Sequence, residues 1–149
     1  MPEATQPPVT ASIGTQPYRT HITTPGHELV ADEPTKSGGQ DAGPNPYDLM
    51  LGALASCTAI TLRMYADRKN WPLEHVEVEM AQPNSHAEDC QHCEEDNRPT
   101  LHITTRLHLT GDLSDDQRAR LHQIAEKCPV HRVLAGNAAI TTTLAEGSD

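Results

Sequence analysis

The alternation of apolar and polar positions is sharpest between residues 101 and 109. There Leu101, Ile103, Thr105, Leu107 and Leu109 alternate with His102, Thr104, Arg106 and His108, the period of a strand that buries one face. "HVEVEMA" (75–81) sets Val76, Val78 and Met80 against Glu77 and Glu79 and predicts a second half-buried strand. From Asn45 the spacing becomes helical, with Met50, Ala53, Leu54, Cys57, Ile60, Thr61 and Met64 on one stripe. Asn45 suits the N-cap, Pro46 the first turn and Asp48 the positive end, while Arg63, Arg68 and Lys69 suit the C-terminal end. Gly52, Ala55, Ser56 and Ala59 keep the neighbouring surface small, so another backbone can approach it.

A second helix follows Ser114, which forms a capping box with Gln117 and precedes Asp115 and Asp116. Leu121, Ile124, Ala125 and Cys128 continue its apolar face, and Pro129 breaks it and can start a short helix to about Leu134. "YRTHITT" and "HELVA" flank Pro25-Gly26 and predict a hairpin. Residues 35–46 read as a Gly/Pro-rich loop, 86–99 as a polar loop, and "AAITTTLA" (138–145) as a closing strand. Residues 1–16 read as a disordered tail and 17–149 as a single domain. Strand, strand, helix, strand, strand, helix, strand fits an α+β fold, with antiparallel sheets and segregated helices, better than βαβ units.

Composition narrows the function. The 149 residues carry 11 basic and 21 acidic side chains, a net charge of −10. That balance argues against nucleic acid and anionic membrane surfaces as partners. No apolar run reads as long enough to cross a membrane, and the start of the chain lacks a signal-peptide pattern. The expectation is a cytoplasmic protein whose thiols are kept reduced. With no Phe, one Trp and three Tyr, the core is aliphatic and lean, which hints at a dimer that buries further area.

The candidate chemistry lies in four cysteines in two settings. Cys57 and Cys128 fall on predicted apolar helix faces. Two readings stand side by side: small buried hydrophobes, or a redox pair. A disulfide would need the two Cα atoms within about 7 Å, which spacing does not show. Cys57 is about three turns inside its helix, too deep for the helix dipole to assist a thiolate. Cys128, just before Pro129, is better placed to feel a helix start, with His131 near it. Cys90 and Cys93 lie in "HAEDCQHCEED". With His86 they have the donor types and part of the spacing of a zinc site. A solvated polar loop and a local redox pair are the other readings.

The stretches "GPNPYDLMLGALASCTAITLRMYADRKNWPLEHVEV" and "AEKCPVHRVL" resemble the OsmC/Ohr family of organic hydroperoxide reductases, most closely its OsmC-like branch. The similarity runs from about Tyr18 to Leu144: a Gly-Pro-x-Pro loop, a long helix with a central cysteine, and Cys-Pro-x-His after a second helix. The resemblance implies an α+β fold with two main helices, as an intertwined homodimer with active sites at the subunit interface. It implies a thiol-dependent peroxidase in which Cys57 attacks the hydroperoxide and Cys128 resolves the sulfenic acid as a disulfide, reduced in turn by a dithiol. No cofactor is required for that chemistry. Zinc at His86, Cys90 and Cys93, in a redox-inactive binding module, is the alternative. Ohr-type members activate the thiolate with an arginine and a glutamate. Tyr47 stands at the glutamate's position with Asp48 beside it, and Arg19 is the one arginine of the first hairpin. Arg19 and Asp48 are therefore the supporting candidates.

Overall fold

The computed structural model describes residues 6–95, 102–136 and 138–145. Strands β1 (Thr10–Ser12), β2 (Thr20–Thr24) and β3 (His27–Ala31) form one antiparallel sheet in that order. Ser12 faces His21 across β1 and β2, and Thr24 faces His27 at the predicted hairpin turn. The three residues of β1 lie inside the segment expected to be a disordered tail. Their backbone groups pair with β2, which gives otherwise polar residues a reason to be ordered.

Beyond β3, Asp32 fixes the Gly/Pro-rich loop. Its buried carboxylate accepts the backbone N–H groups of Tyr18 at 3.3 Å, Glu33 at 2.7 Å, Gln40 at 3.2 Å and Ala42 at 3.1 Å. A short 3-10 turn, Thr35–Ser37, lies within the loop. Gly39 and Gly43 pass so close to the carbonyls of Glu33 and Val30 that a Cβ at either position would collide with backbone.

Helix α1 (Pro46–Lys69) begins as the sequence predicts, with the Asn45 side chain accepting the Asp48 N–H at 3.0 Å. It ends at Asn70, whose φ of 55° leaves the helical region. Its buried face differs from the predicted stripe. Leu54, Thr58, Leu62 and Ala66 are buried, whereas Ile60 and Met64 are 54% and 61% exposed. With apolar residues on nearly every side of the helix, the pattern does not single out the face that packs. The helix is also long and apolar enough to cross a membrane by length and composition, with a mean hydropathy of 1.4, contrary to the expectation from the sequence. Its leucines, alanines and methionines, with Ile60 and Cys57, raise the average without forming an unbroken run of large side chains.

Strand β4 (Leu73–Ala81) shows the predicted alternation, with Val76, Val78 and Met80 half-buried between exposed Glu77 and Glu79. Helix α2 (His86–Gln91) forms the first part of the stretch expected as a polar loop, whose residues 96–99 lie outside the described residues. Ser85 caps it by accepting the Glu88 N–H, and acidic residues occupy its first turn. Strand β5 (Thr104–Gly111) pairs with β4 in a two-stranded sheet. Thr104 meets Ala81, and two residues on Arg106 meets Glu79, two residues back, so the strands run antiparallel. Leu101, expected to start this strand, lies outside the described residues.

Helix α3 (Asp115–Ala125) carries the predicted Ser114–Gln117 capping box, and Cys128 caps helix α4 (Pro129–Leu134). Residues 138–145 form no strand and are exposed, Ile140 at 89% and Leu144 at 92%. The expected closing strand is not formed.

The described residues group into two compact units. The first draws on Met1–Gly52 and Met80–Thr104, the second on Ala53–Glu79 and Thr105–Asp149. The second holds an aliphatic core of Leu62, Ala66, Leu73, Leu113, Leu121, Ile124 and Ala125, flanked by Tyr65, Trp71, Val76, Leu107 and Leu109.

Candidate functional site

In the second unit, α1 presents two successive residues of interest. Thr58 is buried, and its hydroxyl donates to the Leu54 carbonyl at 3.0 Å. The same oxygen lies 3.7 Å from the sulfur of Cys128. Cys57, the residue before Thr58, is half-buried. Successive helical residues differ by about 100° around the axis, so Cys57 borders the face that meets Cys128 without belonging to it. Cys128 is fully buried, and its sulfur accepts the His131 N–H at 3.4 Å as the cap of α4. The contact that ties α1 to Cys128 thus falls one residue from the other candidate thiol. All four cysteines are free thiols.

The supporting candidates belong to the first unit. Arg19 is exposed ahead of β2, and Asp48 is exposed in the first turn of α1. Both belong to the first unit, while Cys57 and Cys128 belong to the second. Tyr47, beside Asp48, is engaged within the first unit. Its hydroxyl donates to the Asp89 carboxylate, and its ring packs edge-on against His86 with centroids 5.0 Å apart. Burial, the hydrogen bond to Asp89 and the charges of Asp89 and Cys90 raise the Tyr47 phenol to about 12.

That contact leads to a second group of side chains. His86 meets Glu33 through Nδ1 at 2.5 Å and Cys90 through Nε2 at 3.4 Å. Glu33 is buried at 8% exposure, and Cys90 is exposed on the last turn of α2. Loss of solvation, followed by the charges of Glu33, Cys93 and Asp89, pushes the Cys90 thiol up. Glu33, His86 and Cys90 line a pocket of about 360 Å³ whose walls include Ile13, Tyr18, Ala31 and Pro46. Asp32 also borders it. Burial alone would raise that carboxyl, but its backbone hydrogen bonds outweigh the effect and hold it below the usual value.

The expected metal set of His86, Cys90 and Cys93 is only partly assembled. His86 and Cys90 meet, but Cys93 is exposed, and among the described residues no three such side chains gather as a cation site. His86 Nδ1 is directed at Glu33 instead, and the Cys90 sulfur lies over the ring, 3.4 Å from Nε2 and 3.9 Å from Nδ1. Glu33 was missed by sequence reasoning, since a single glutamate before Pro34 gives no periodic signal. Tyr47 was noted there only as a departure from a family pattern.

A family model described as OsmC-like protein matches residues 38–143. Among curated proteins none matches the chain. Solved structures do. An OsmC-like protein from Mycoplasma pneumoniae is 17% identical with a TM-score of 0.68, covering 87% of each chain. The organic hydroperoxide resistance protein OsmC of Legionella pneumophila is 22% identical with a TM-score of 0.63, covering 91% of this chain and 93% of its own. The organic hydroperoxide resistance protein OhrB of Bacillus subtilis is 22% identical with a TM-score of 0.55, covering 87% and 90%.

Proposed function

The chain belongs to the OsmC-like family, and from that premise we propose that it is a thiol peroxidase that reduces organic hydroperoxides through Cys57 and Cys128. The Cys57 thiolate attacks the terminal peroxide oxygen. The O–O bond breaks, the alcohol leaves with a proton, and Cys57 becomes a sulfenic acid. The Cys128 thiol then attacks the Cys57 sulfur, water leaves, and a disulfide forms. A dithiol supplies the two electrons and two protons that restore the thiols.

The observation that carries this reading is the 3.7 Å contact between the Thr58 hydroxyl and the Cys128 sulfur. It brings the resolving thiol to α1 one residue from Cys57. The difference in exposure supports the order of events, since half-buried Cys57 can meet a substrate and fully buried Cys128 is shielded until Cys57 has reacted. The reading includes a homodimer. Exposed Ile60 and Met64, with Ala59 and Val76 beside a hollow of about 430 Å³, offer apolar area that a second copy would cover. It also includes a cytoplasmic setting, with Arg19 and Asp48 as supporting groups for the thiolate and no bound cofactor.

The test is mass spectrometry of the native protein after one equivalent of cumene hydroperoxide, with the remaining thiols blocked. A Cys57–Cys128 disulfide is expected, and dithiol-driven turnover should vanish in Cys57→Ser. Undiminished turnover in that variant would remove Cys57 from the reaction.

A further inference from the structure

The Glu33–His86–Cys90 group belongs to no step above, yet it has the order of parts found where a thiol is made to react: a buried carboxylate, an imidazole and a sulfur. Glu33 takes Nδ1 of His86 at 2.5 Å, and the Cys90 sulfur packs against the same imidazole, 3.4 Å from Nε2 and 3.9 Å from Nδ1, over the ring rather than in its plane. A carboxylate on Nδ1 holds the proton there and leaves Nε2 free to accept one from the thiol once rotation of the Cys90 side chain brings the sulfur from the ring face into the ring plane. The Tyr47 ring packs against His86, and Tyr47 is itself tied to Asp89 on the same short helix as Cys90. Cys90 opens onto the largely apolar pocket of about 360 Å³. Cys93 lies three residues on, in the turn closed by its own N–H on the Cys90 carbonyl at 3.3 Å.

We propose that Cys90 and Cys93 form a second dithiol centre that reduces small, uncharged, apolar disulfides, with Cys90 attacking, His86 as its base and Glu33 positioning His86. Cys90 passes its proton to His86 Nε2 as its sulfur attacks one sulfur of the substrate. The substrate S–S bond breaks, a mixed disulfide forms on Cys90, and the departing thiolate takes the proton from His86. The Cys93 thiol then attacks the Cys90 sulfur. The second substrate half leaves as a thiol, and the Cys90–Cys93 disulfide holds the oxidation until an external dithiol reverses it.

The surroundings select among thiol chemistries. Acyl transfer would build negative charge on a carbonyl oxygen beside Asp32 and Glu33, carboxylates that already border the pocket. A disulfide develops its charge on a departing sulfur that His86 protonates. Loss of solvation, followed by the negative groups around Cys90, opposes a standing thiolate, whereas a base that acts during attack does not need one. A thiol of high proton affinity is the stronger nucleophile once deprotonated and the poorer leaving group, so the pair favours giving electrons to disulfides of more acidic thiols. Apolar walls with acidic neighbours favour neutral over anionic substrates.

The proposal does not rest on the peroxidase reading, and its test separates the two. The full chain is mixed with neutral dithiodipyridine, thione release is followed by absorbance, and each cysteine's modification is followed by mass spectrometry in the same sample. The expected result is rapid attack at Cys90, two thiones released there, and a Cys90–Cys93 disulfide. Cys93→Ser should stop at one thione with the mixed disulfide on Cys90. His86→Gln should slow attack at Cys90 at least about tenfold, a modest share of the ~10²–10⁴-fold that a positioned base contributes. Glu33→Gln should slow it in the same sense. Unchanged Cys57 labelling and continued Cys128 protection in each variant report that the fold is intact. Cys90→Ser should leave hydroperoxide turnover through Cys57 unchanged. The anionic dithiobis-nitrobenzoate should react more slowly at Cys90 than dithiodipyridine, relative to their rates with a free thiol. Attack at Cys90 that is indifferent to His86 in folded protein would overturn the proposal. So would a mixed disulfide that persists in the wild type. Stoichiometric zinc in the purified protein, lost in Cys93→Ser, would overturn it too and assign these side chains to a metal.

Discussion

The buried face of α1 can be tested by cutting side chains from two sides of the same helix. Leu62 is fully buried in the core of the second unit, with Leu121, Ile124 and Leu73 in the same cluster. Leu62→Ala removes apolar atoms from a position with no solvent contact, so the lost transfer energy is joined by the cost of a cavity. Such truncations cost about 2–5 kcal/mol. Leu62 lies on a long helix anchored through several turns, which limits collapse around the gap, so about 3 kcal/mol is expected. That is a large fraction of the ~5–15 kcal/mol that stabilises an ordinary domain. For a chain of this length it lowers Tm by about 6–12 °C. Met64, two positions along and 61% exposed, should lose no more than about 0.5 kcal/mol when cut to alanine in dilute protein. Urea unfolding followed by circular dichroism, at several protein concentrations, measures both. The reasoning fails if Leu62→Ala costs under about 1 kcal/mol, the range of a surface change. It also fails if Met64→Ala matches Leu62→Ala at every concentration, because that would place the core on the predicted stripe. A Met64→Ala loss that grows with concentration would instead mean that a second copy covers that face.

Three further outcomes follow from the electrostatics and the caps. Disulfide formation at Cys128 takes its sulfur from the His131 N–H at 3.4 Å, so peroxide-treated protein should exchange the His131 amide faster by NMR than reduced protein; equal rates would show that the cap survives oxidation. The folded-state pKa of Asp32 lies below its ordinary 3.8, so its contribution to stability is complete above that value and is lost as pH falls through the lower folded one; Asp32→Asn should be less stable at neutral pH and flatter in acid, and parallel acid-unfolding curves would refute this. The Tyr47 phenol is raised from 10.0 to about 12, so its contribution is complete below 10.0 and declines as pH rises towards about 12; a wild-type minus Tyr47→Phe ultraviolet titration should place its phenolate near the upper value, and ionisation near the lower one would mean that the Asp89 bond is not made.

What the sequence made legible depended on whether the signal was local. The hairpin around Pro25-Gly26, the Asn45 cap, the Ser114–Gln117 box and the Cys128 cap need only neighbouring residues, and each appears as read. The alternation of β4 also survives, because its glutamates cannot be buried without partners. The face of α1 was illegible because its opposite sides are similarly apolar, and only packing against Leu121 and its neighbours distinguishes them. Residues 138–145 have the composition of a strand, but a strand also needs an edge, which composition does not supply. At the candidate sites, Cys57 and Cys128 stood out as thiols at helical positions, whereas the pairing of Glu33 with His86 spans 53 residues of sequence. No spacing rule links a glutamate in one loop to a histidine that far along the chain.

The contrast between the thiol pairs explains why one cannot stand in for the other. Cys128 is buried and already serves as a cap, so in the proposed cycle its sulfur stays committed to structure until Cys57 has reacted. Such a thiol suits a resolving role, in which reaction before the first thiol would be wasteful. Cys90 is exposed and packs against an imidazole, 3.4 Å from Nε2, but its electrostatic neighbours are negative. A peroxidatic thiol gains from a standing negative charge on sulfur, which Glu33 and Asp89 oppose at Cys90. A thiol that exchanges with a disulfide needs its proton removed only as it attacks, the role proposed for His86. The negative charge that makes Cys90 a poor substitute for Cys57 is therefore compatible with the exchange reaction proposed for it.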